Sequence, residues 1–119
     1  MRVSSRTERS YDLFGSSQEH HDWIEYQADR AEGVRILTVF FYLNTVEAGG
    51  GTRFPKLDLT VQPVKGRVLI WPSALNENLD AKDVLTNHEA LPVEQGIKYG
   101  ANAWIHQRDY KTPHATNCA

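Results

Sequence analysis

The sequence predicts an all-β fold, a sandwich or jelly roll with little helix, and three observations carry that prediction. β-Branched and aromatic residues gather in short runs, the longest being residues 34–43, Val-Arg-Ile-Leu-Thr-Val-Phe-Phe-Tyr-Leu. Gly and Pro stand between the runs, at Gly49-Gly50-Gly51, Pro63, Gly66, Pro72, Pro92 and Gly96. No heptad, internal repeat or long amphipathic helical pattern interrupts them. Short strands at regular spacing with such punctuation are the signature of a jelly roll or sandwich.

Each element can be justified in turn. Residues 1–10 form a disordered or truncated N-terminal segment, and residues 11–119 a single core domain. Residues 1–18 are polar and Gly/Ser-rich, so they are expected to be poorly ordered except near Tyr11-Asp12-Leu13-Phe14. Residues 22–33 are charged and suit a loop or a short helical turn. The run 34–43 is the best-defined strand. Gly49-Gly50-Gly51 marks a place where backbone bends or approaches something closely. Leu59 and Val61 alternate with polar neighbours, which predicts a half-buried strand over 57–62. A turn at 63–66 leads into a strand over 67–71, closed by Pro72. Residues 73–83 read as a loop, and 84–91 and 97–107 as further strands.

Composition narrows the function. The 119 residues carry a formal net charge of -2, with hydrophobic residues at 40%. A near-neutral, slightly acidic chain argues against nucleic acid as a partner, because phosphate binding needs a concentrated basic face. Residues 34–43 are too short to span a bilayer and are broken by Arg35 and Thr38, so no membrane segment is expected. Residues 1–10 contain no apolar h-region and do not read as a secretory signal. With one cysteine, Cys118, no intrachain disulfide can form, and the thiol has no local base to make it a nucleophile.

The chemistry sits in His20-His21-Asp22. In an extended strand, residues two apart share a face, so His20 and Asp22 can aim an imidazole and a carboxylate at one point while His21 turns away. His88 is the best third candidate. Two His and one carboxylate on one side of an ion leave three positions open, the facial triad of non-haem Fe(II) oxygenases. By itself a His-x-Asp pair is weak evidence, because two surface residues on a polar loop are the commoner source of that pattern. Lys98, ten residues after His88 and across the Gly96 turn, adds weight. A lysine pointing into a barrel is costly unless it meets an anion, and a dicarboxylate chelating the metal would supply one. The plain alternative is an ordinary exposed strand lysine.

A resemblance follows from longer motifs. Residues 42–55, Tyr-Leu-Asn-Thr-Val-Glu-Ala-Gly-Gly-Gly-Thr-Arg-Phe-Pro, resemble the prolyl 4-hydroxylase stretch YLN-x-V-x-x-GGET-x-FP. His88 to Lys98, with Pro92-Val93 and Gly96 between, resembles that family's H-x-x-x-PV-x-x-G-x-K, and Trp104-Ile105 its following WI. The resemblance runs from about His20 to Gln107, with all motifs in family order.

It implies a double-stranded β-helix, the jelly roll of Fe(II), 2-oxoglutarate-dependent dioxygenases. It implies that His20, Asp22 and His88 hold iron and that Lys98 pairs with the distal carboxylate of 2-oxoglutarate. Thr52 would add a hydroxyl there, Trp104 would wall the pocket, and Tyr11 would also bind 2-oxoglutarate. Arg35 and His106 would contact a peptide substrate. The implied activity is 4-hydroxylation of peptidyl proline with O2, releasing succinate and CO2, with ascorbate as reductant. The implied partner is a proline-containing peptide or protein and the implied compartment the endoplasmic reticulum lumen. The alternative is a catalytically silent jelly-roll binding module or pseudoenzyme fragment.

Three departures from the family pattern stand out. Gly51 replaces the Glu of GGET. Gly15 lies one residue closer to His20 than the family Gly, and Ser17 stands where a second Tyr is usual. Almost nothing precedes Tyr11, whereas family domains carry elements there that pack outside the major sheet.

Overall fold

A computed structural model describes the backbone of residues 3–9 and 17 and the whole of residues 18–109. The chain runs through strands β1 (Val3–Arg9), β2 (Ser17–His20), β3 (Arg35–Tyr42), β4 (Ala48–Gly49) and β5 (Thr52–Phe54). It continues through β6 (Leu59–Val61), β7 (Val68–Pro72), β8 (His88–Ala90), β9 (Val93–Gln95) and β10 (Tyr99–His106). The described helical segments are short 3-10 turns, at Glu25–Gln27, Pro55–Leu57 and Val84–Thr86. None of the described helices is long and apolar enough to cross a membrane.

Two antiparallel sheets make the jelly roll. The major sheet has the order β1-β10-β3-β7 and the minor sheet β2-β8-β5-β6, with a small β4-β9 pair between consecutive segments. The all-β expectation is therefore met. β3 is, with β10, one of the two inner strands of the major sheet, and its β-branched and aromatic residues fit a pleated surface on both sides. Its inner face presents Thr38, Phe40 and Tyr42, of which Thr38 is fully buried and Tyr42 nearly so. Phe54 from β5 and Trp71 from β7 meet edge to face at 5.4 Å inside the roll.

The opposite face of the major sheet is apolar. Across the strands Leu37 pairs with Pro72 and Ile105, Val39 with Ile70 and Ala103, and Phe41 with Val68 and Ala101. Phe41, Val68 and Ile70 are substantially exposed there.

Four local expectations are corrected. Residues 3–9, expected to lack order, form β1, antiparallel to β10 in continuous register from Val3↔Ile105 to Arg9↔Tyr99. The ladder hydrogen bonds of an open strand edge accept almost any sequence, so polar composition did not preclude pairing. The strand placed over 84–91 begins as a 3-10 turn. Asp83 caps that turn, its carboxylate accepting from the Leu85 N–H at 3.0 Å, and only His88–Ala90 is strand. The strand over 57–62 also starts late, after the Pro55–Leu57 turn. Its Leu59 is exposed, not half-buried, because β6 is the edge of the minor sheet. Strands β4 and β9 lie in stretches read as turns. Gly49 makes β4 possible, with φ of 75° and its Cα so close to β9 that a Cβ would lie 2.3 Å from the Pro92 carbonyl oxygen.

Candidate functional site

His20 is the last residue of β2, and Asp22 follows in the loop beyond it. His88 opens β8, which pairs with β2 so that His88 and His20 are direct cross-strand partners. The expected strand therefore covers only half of the His-x-Asp element, yet the side chains converge. His20 Nε2 is 3.9 Å and His88 Nε2 3.7 Å from Asp22 Oδ1. One ligand atom from each of the three residues lies within 4.8 Å of the others. Ligands about 2.0–2.2 Å from one ion and on the same side of it stand about 3 Å apart, so each imidazole–carboxylate pair would close by under about 1 Å on an ion.

The remaining polar atoms of the three residues are committed elsewhere. His20 Nδ1 bonds the Gln18 carbonyl at 2.8 Å, and His88 Nδ1 bonds the Thr86 carbonyl at 2.9 Å. A carbonyl can only accept, so each ring carries its proton on Nδ1 and turns the Nε2 lone pair inward. Thr38 Oγ1 donates to Asp22 Oδ2 at 2.6 Å, which leaves Oδ1 to the site. The three atoms left over lie within 4.8 Å of one another, and the three supporting bonds use the other polar atom of each side chain. That is the donor set a divalent metal requires, and the residues present fit an iron ion.

Burial tunes the set. Asp22 and His88 are almost fully buried, whereas His20 is exposed on one side. Burial pushes the His88 imidazole below its ordinary pKa of 6.5, against the opposing pull of Asp22, so it stays neutral and available as a ligand. Trp71 packs on His88 at 4.7 Å and Phe54 at 5.7 Å, which dries that side of the ring. The buried Trp71 Nε1–H has no hydrogen-bond partner among the described residues.

His21 points away from the metal candidates, as expected. Its Nδ1 accepts from the Trp23 N–H at 2.9 Å and its Nε2 bonds the Asp83 carbonyl at 2.7 Å.

Lys98 is buried, 9% exposed, which overturns the plain reading of an exposed strand lysine. Its Nζ lies 5.5 Å from the Phe40 ring and 5.6 Å from the Tyr42 ring. The Tyr42 hydroxyl in turn lies 2.6 Å from that of Thr52. Lys98 also runs beside Gly50, where an added Cβ would meet its Cδ at 3.6 Å. Thr38, beside Asp22, and Tyr42, beside Thr52, stand four residues apart on one face of β3. That is roughly 13 Å of strand, room for a short dicarboxylate between the two groups.

Trp104 pairs with Thr38 across β10 and β3, so it lines the Asp22 end of the interior and not the Lys98 end. The Arg35 guanidinium lies over the Trp104 ring, its Cζ 3.8 Å from the centroid. Arg35 and His106 are cross-strand partners, and His106 is buried with Nδ1 on the Gly33 carbonyl at 2.9 Å. Tyr11 lies outside the described residues. Gly51 has a reason to be glycine in this chain, since a Cβ there would meet Thr60 Cγ2 at 2.9 Å.

Residues 9–106 match the family model described as the 2OG-Fe(II) oxygenase superfamily. The chain belongs to that superfamily. Its cofactor and co-substrates are accordingly Fe(II), 2-oxoglutarate and O2. Among the curated relatives, prolyl 4-hydroxylase subunit alpha-1 of Homo sapiens is 36% identical over 107 residues, covering 83% of this chain. Subunit alpha-2 of Gallus gallus is 33% identical over 102 residues. The chain spans 19% of the length of each. A viral collagen prolyl hydroxylase from Paramecium Bursaria Chlorella virus-1, solved as its 2OG complex, superposes with a TM-score of 0.76 at 26% identity. That match covers 91% of this chain and 62% of the viral one, and it agrees with the jelly roll described above.

Sequence reasoning missed Thr38, Tyr42 and Trp71. A signal existed for the first two, since Thr38, Phe40 and Tyr42 alternate along one strand. Read at period two, that run places two hydroxyls on the face that His20 and Asp22 must meet.

Proposed function

We propose that this oxygenase hydroxylates peptidyl proline at C4, using Fe(II), 2-oxoglutarate and O2. The observation that carries the reading is the orientation of the donor set. His20, Asp22 and His88 each have their second polar atom held by the protein, so that only Nε2, Oδ1 and Nε2 are presented. The iron, when bound with 2-oxoglutarate and O2, supplies oxidative decarboxylation to succinate and CO2 and oxygen insertion into an unactivated C–H bond.

The chain's own residues do the rest. His20, Asp22 and His88 hold the ion on one side and leave the other open. Lys98 offers an ammonium to the distal carboxylate of 2-oxoglutarate, in a pocket walled by Phe40 and Tyr42. The Thr52 hydroxyl, fixed by Tyr42, adds a hydrogen bond at the same carboxylate. Trp71 and Phe54 exclude water beside His88. Arg35, over the Trp104 ring, and the buried His106 beside it would contact the peptide substrate. The choice of proline rests on the relatives, which are named prolyl hydroxylases.

Anaerobic titration with Fe(II) and then 2-oxoglutarate tests the site, through the weak visible charge-transfer band of the chelate. Mass spectrometry of a proline-rich peptide after admitting air tests the reaction. A band followed by gain of one oxygen on proline supports the proposal. Absence of the band sinks the metal and co-substrate assignment, and a band without peptide oxidation sinks the substrate assignment.

A further inference from the structure

His21 lies between two metal-ligand candidates and is neither exposed nor idle. Its ring accepts the Trp23 N–H on Nδ1 at 2.9 Å, so its proton is on Nε2. The Nε2–H is shared between the Asp83 carbonyl at 2.7 Å and the Thr86 hydroxyl at 3.1 Å. The Thr86 hydroxyl in turn donates to the Asp83 carbonyl at 2.9 Å. Thr86 is the residue whose own carbonyl accepts from His88 Nδ1. One imidazole thus links the loop that carries Asp22 to the turn that orients His88. Asp83, which caps the short 3-10 turn at Val84–Thr86, and Thr86 within it stand 62 and 65 residues from His21 in sequence.

We propose that His21 is a positioning residue that sets the geometry of the iron site by clamping its two arms together. The proposal rests on the iron reading above. His20 and Asp22 arrive on one segment and His88 on another. Described side-chain hydrogen bonds that join the two segments are few. Asn87 to Glu19 spans them at 3.3 Å but is exposed, and Trp23 Nε1–H donates to the Leu79 carbonyl at 3.2 Å, farther from His88, whereas the His21 bonds are partly buried and reach the turn next to His88. His21 acts through Thr86, whose carbonyl holds His88 Nδ1, and bonds that orient a metal ligand commonly contribute about 10–100-fold in metal affinity.

The test compares Co(II) affinity and the Co(II) ligand-field spectrum of the full chain with those of His21→Asn and His21→Gln. Asn retains an oxygen that can accept from the Trp23 N–H but cannot reach Asp83. Gln has an amide long enough to donate across to the Asp83 carbonyl. The expected result is about a 10–100-fold loss of affinity and an altered spectrum for His21→Asn, with most of the loss recovered in His21→Gln. Thr86→Val, which keeps the shape and removes the shared hydroxyl, should weaken binding in the same direction by a smaller factor.

Wild-type affinity and spectrum in His21→Asn would overturn the clamp while leaving the iron site standing. Equal losses in Asn and Gln would also overturn it, because a role in local packing alone predicts no rescue. Failure of the wild-type chain to bind Co(II) or Fe(II) would instead sink the iron reading, and this proposal with it. If His21→Asn does not fold, Thr86→Val decides, with unchanged affinity and spectrum counting against the clamp.

Discussion

Thr38→Val removes one hydroxyl and almost nothing else. The side chain is fully buried and its Oγ1 donates to Asp22 Oδ2 at 2.6 Å. Valine has the same branched shape, so no cavity forms, and the whole effect falls on the carboxylate. A hydrogen bond to a charged group contributes about 1.5–3 kcal/mol, and a buried acceptor left without a partner costs a similar amount. Unfolding entropy of about 2.1 cal/mol/K per residue over 119 residues gives about 0.25 kcal/mol/K, so Tm should fall by about 6–12 °C. Metal affinity should fall by about 10–100-fold, because Asp22 loses the bond that holds Oδ1 toward the two imidazoles. Thr38→Ser, which keeps the donor, should retain affinity close to wild type. The assays are a thermal melt followed by circular dichroism and a Co(II) titration. A Thr38→Val protein that melts within about 1 °C of wild type and binds Co(II) within about twofold would refute this account of how Asp22 is oriented.

Four further outcomes follow from the same geometry. His88→Ala should abolish stoichiometric iron binding, read by metal analysis after desalting. Lys98→Ala should raise the apparent KM for 2-oxoglutarate strongly while iron affinity stays nearly constant, and Lys98→Arg should restore part of the loss, since the charge survives in a longer, planar head. Gly49→Ala should destabilise the chain by about 3 kcal/mol or more, visible in a urea titration, because a Cβ at positive φ would collide with the Pro92 carbonyl. Acid should weaken the apo protein. The folded pKa of His88 is depressed by burial, so the unfolded chain takes up the proton first as pH falls below about 6.5. Stability is then highest above that value and declines through the interval between the unfolded and folded pKa values, which melts across a pH series would show.

Much of this was legible in the sequence, for identifiable reasons. Residues 35–42 announce a central strand through composition alone, and β3 ends within one residue of the expected limits on each side. His20, Asp22 and His88 were legible because family motifs fix their spacing, although Asp22 lies beyond the strand that was expected to hold it. The distances that bring β8 against β2 belong to the tertiary pairing, which no local pattern encodes. β1 was invisible because its pairing depends on the exposed edge of β10 more than on its own side chains. Val84–Thr86 misled because its apolar residues are exposed and its conformation is set by the Asp83 cap. Trp104 meets Thr38 because register, not residue type, decides its inward neighbour.

The metal candidates also tie together distant parts of the polypeptide. His20 and His88 are 68 positions apart (88 − 20) yet face each other across one strand pair. An ion held by both binds the folded chain alone, since the unfolded chain presents no such constellation. Mass action then makes the ion a folding ligand, adding about 2.7 kcal/mol at a concentration one hundred times its Kd. In a chain of 119 residues that increment is a large share of total stability. Scarcity of iron would therefore lower the amount of this protein as well as its turnover, because the unloaded form opens more often to proteases. Half-life in cells under chelation, compared between wild type and His88→Ala, would register that coupling as a wild-type lifetime that shortens toward the metal-independent value of the variant.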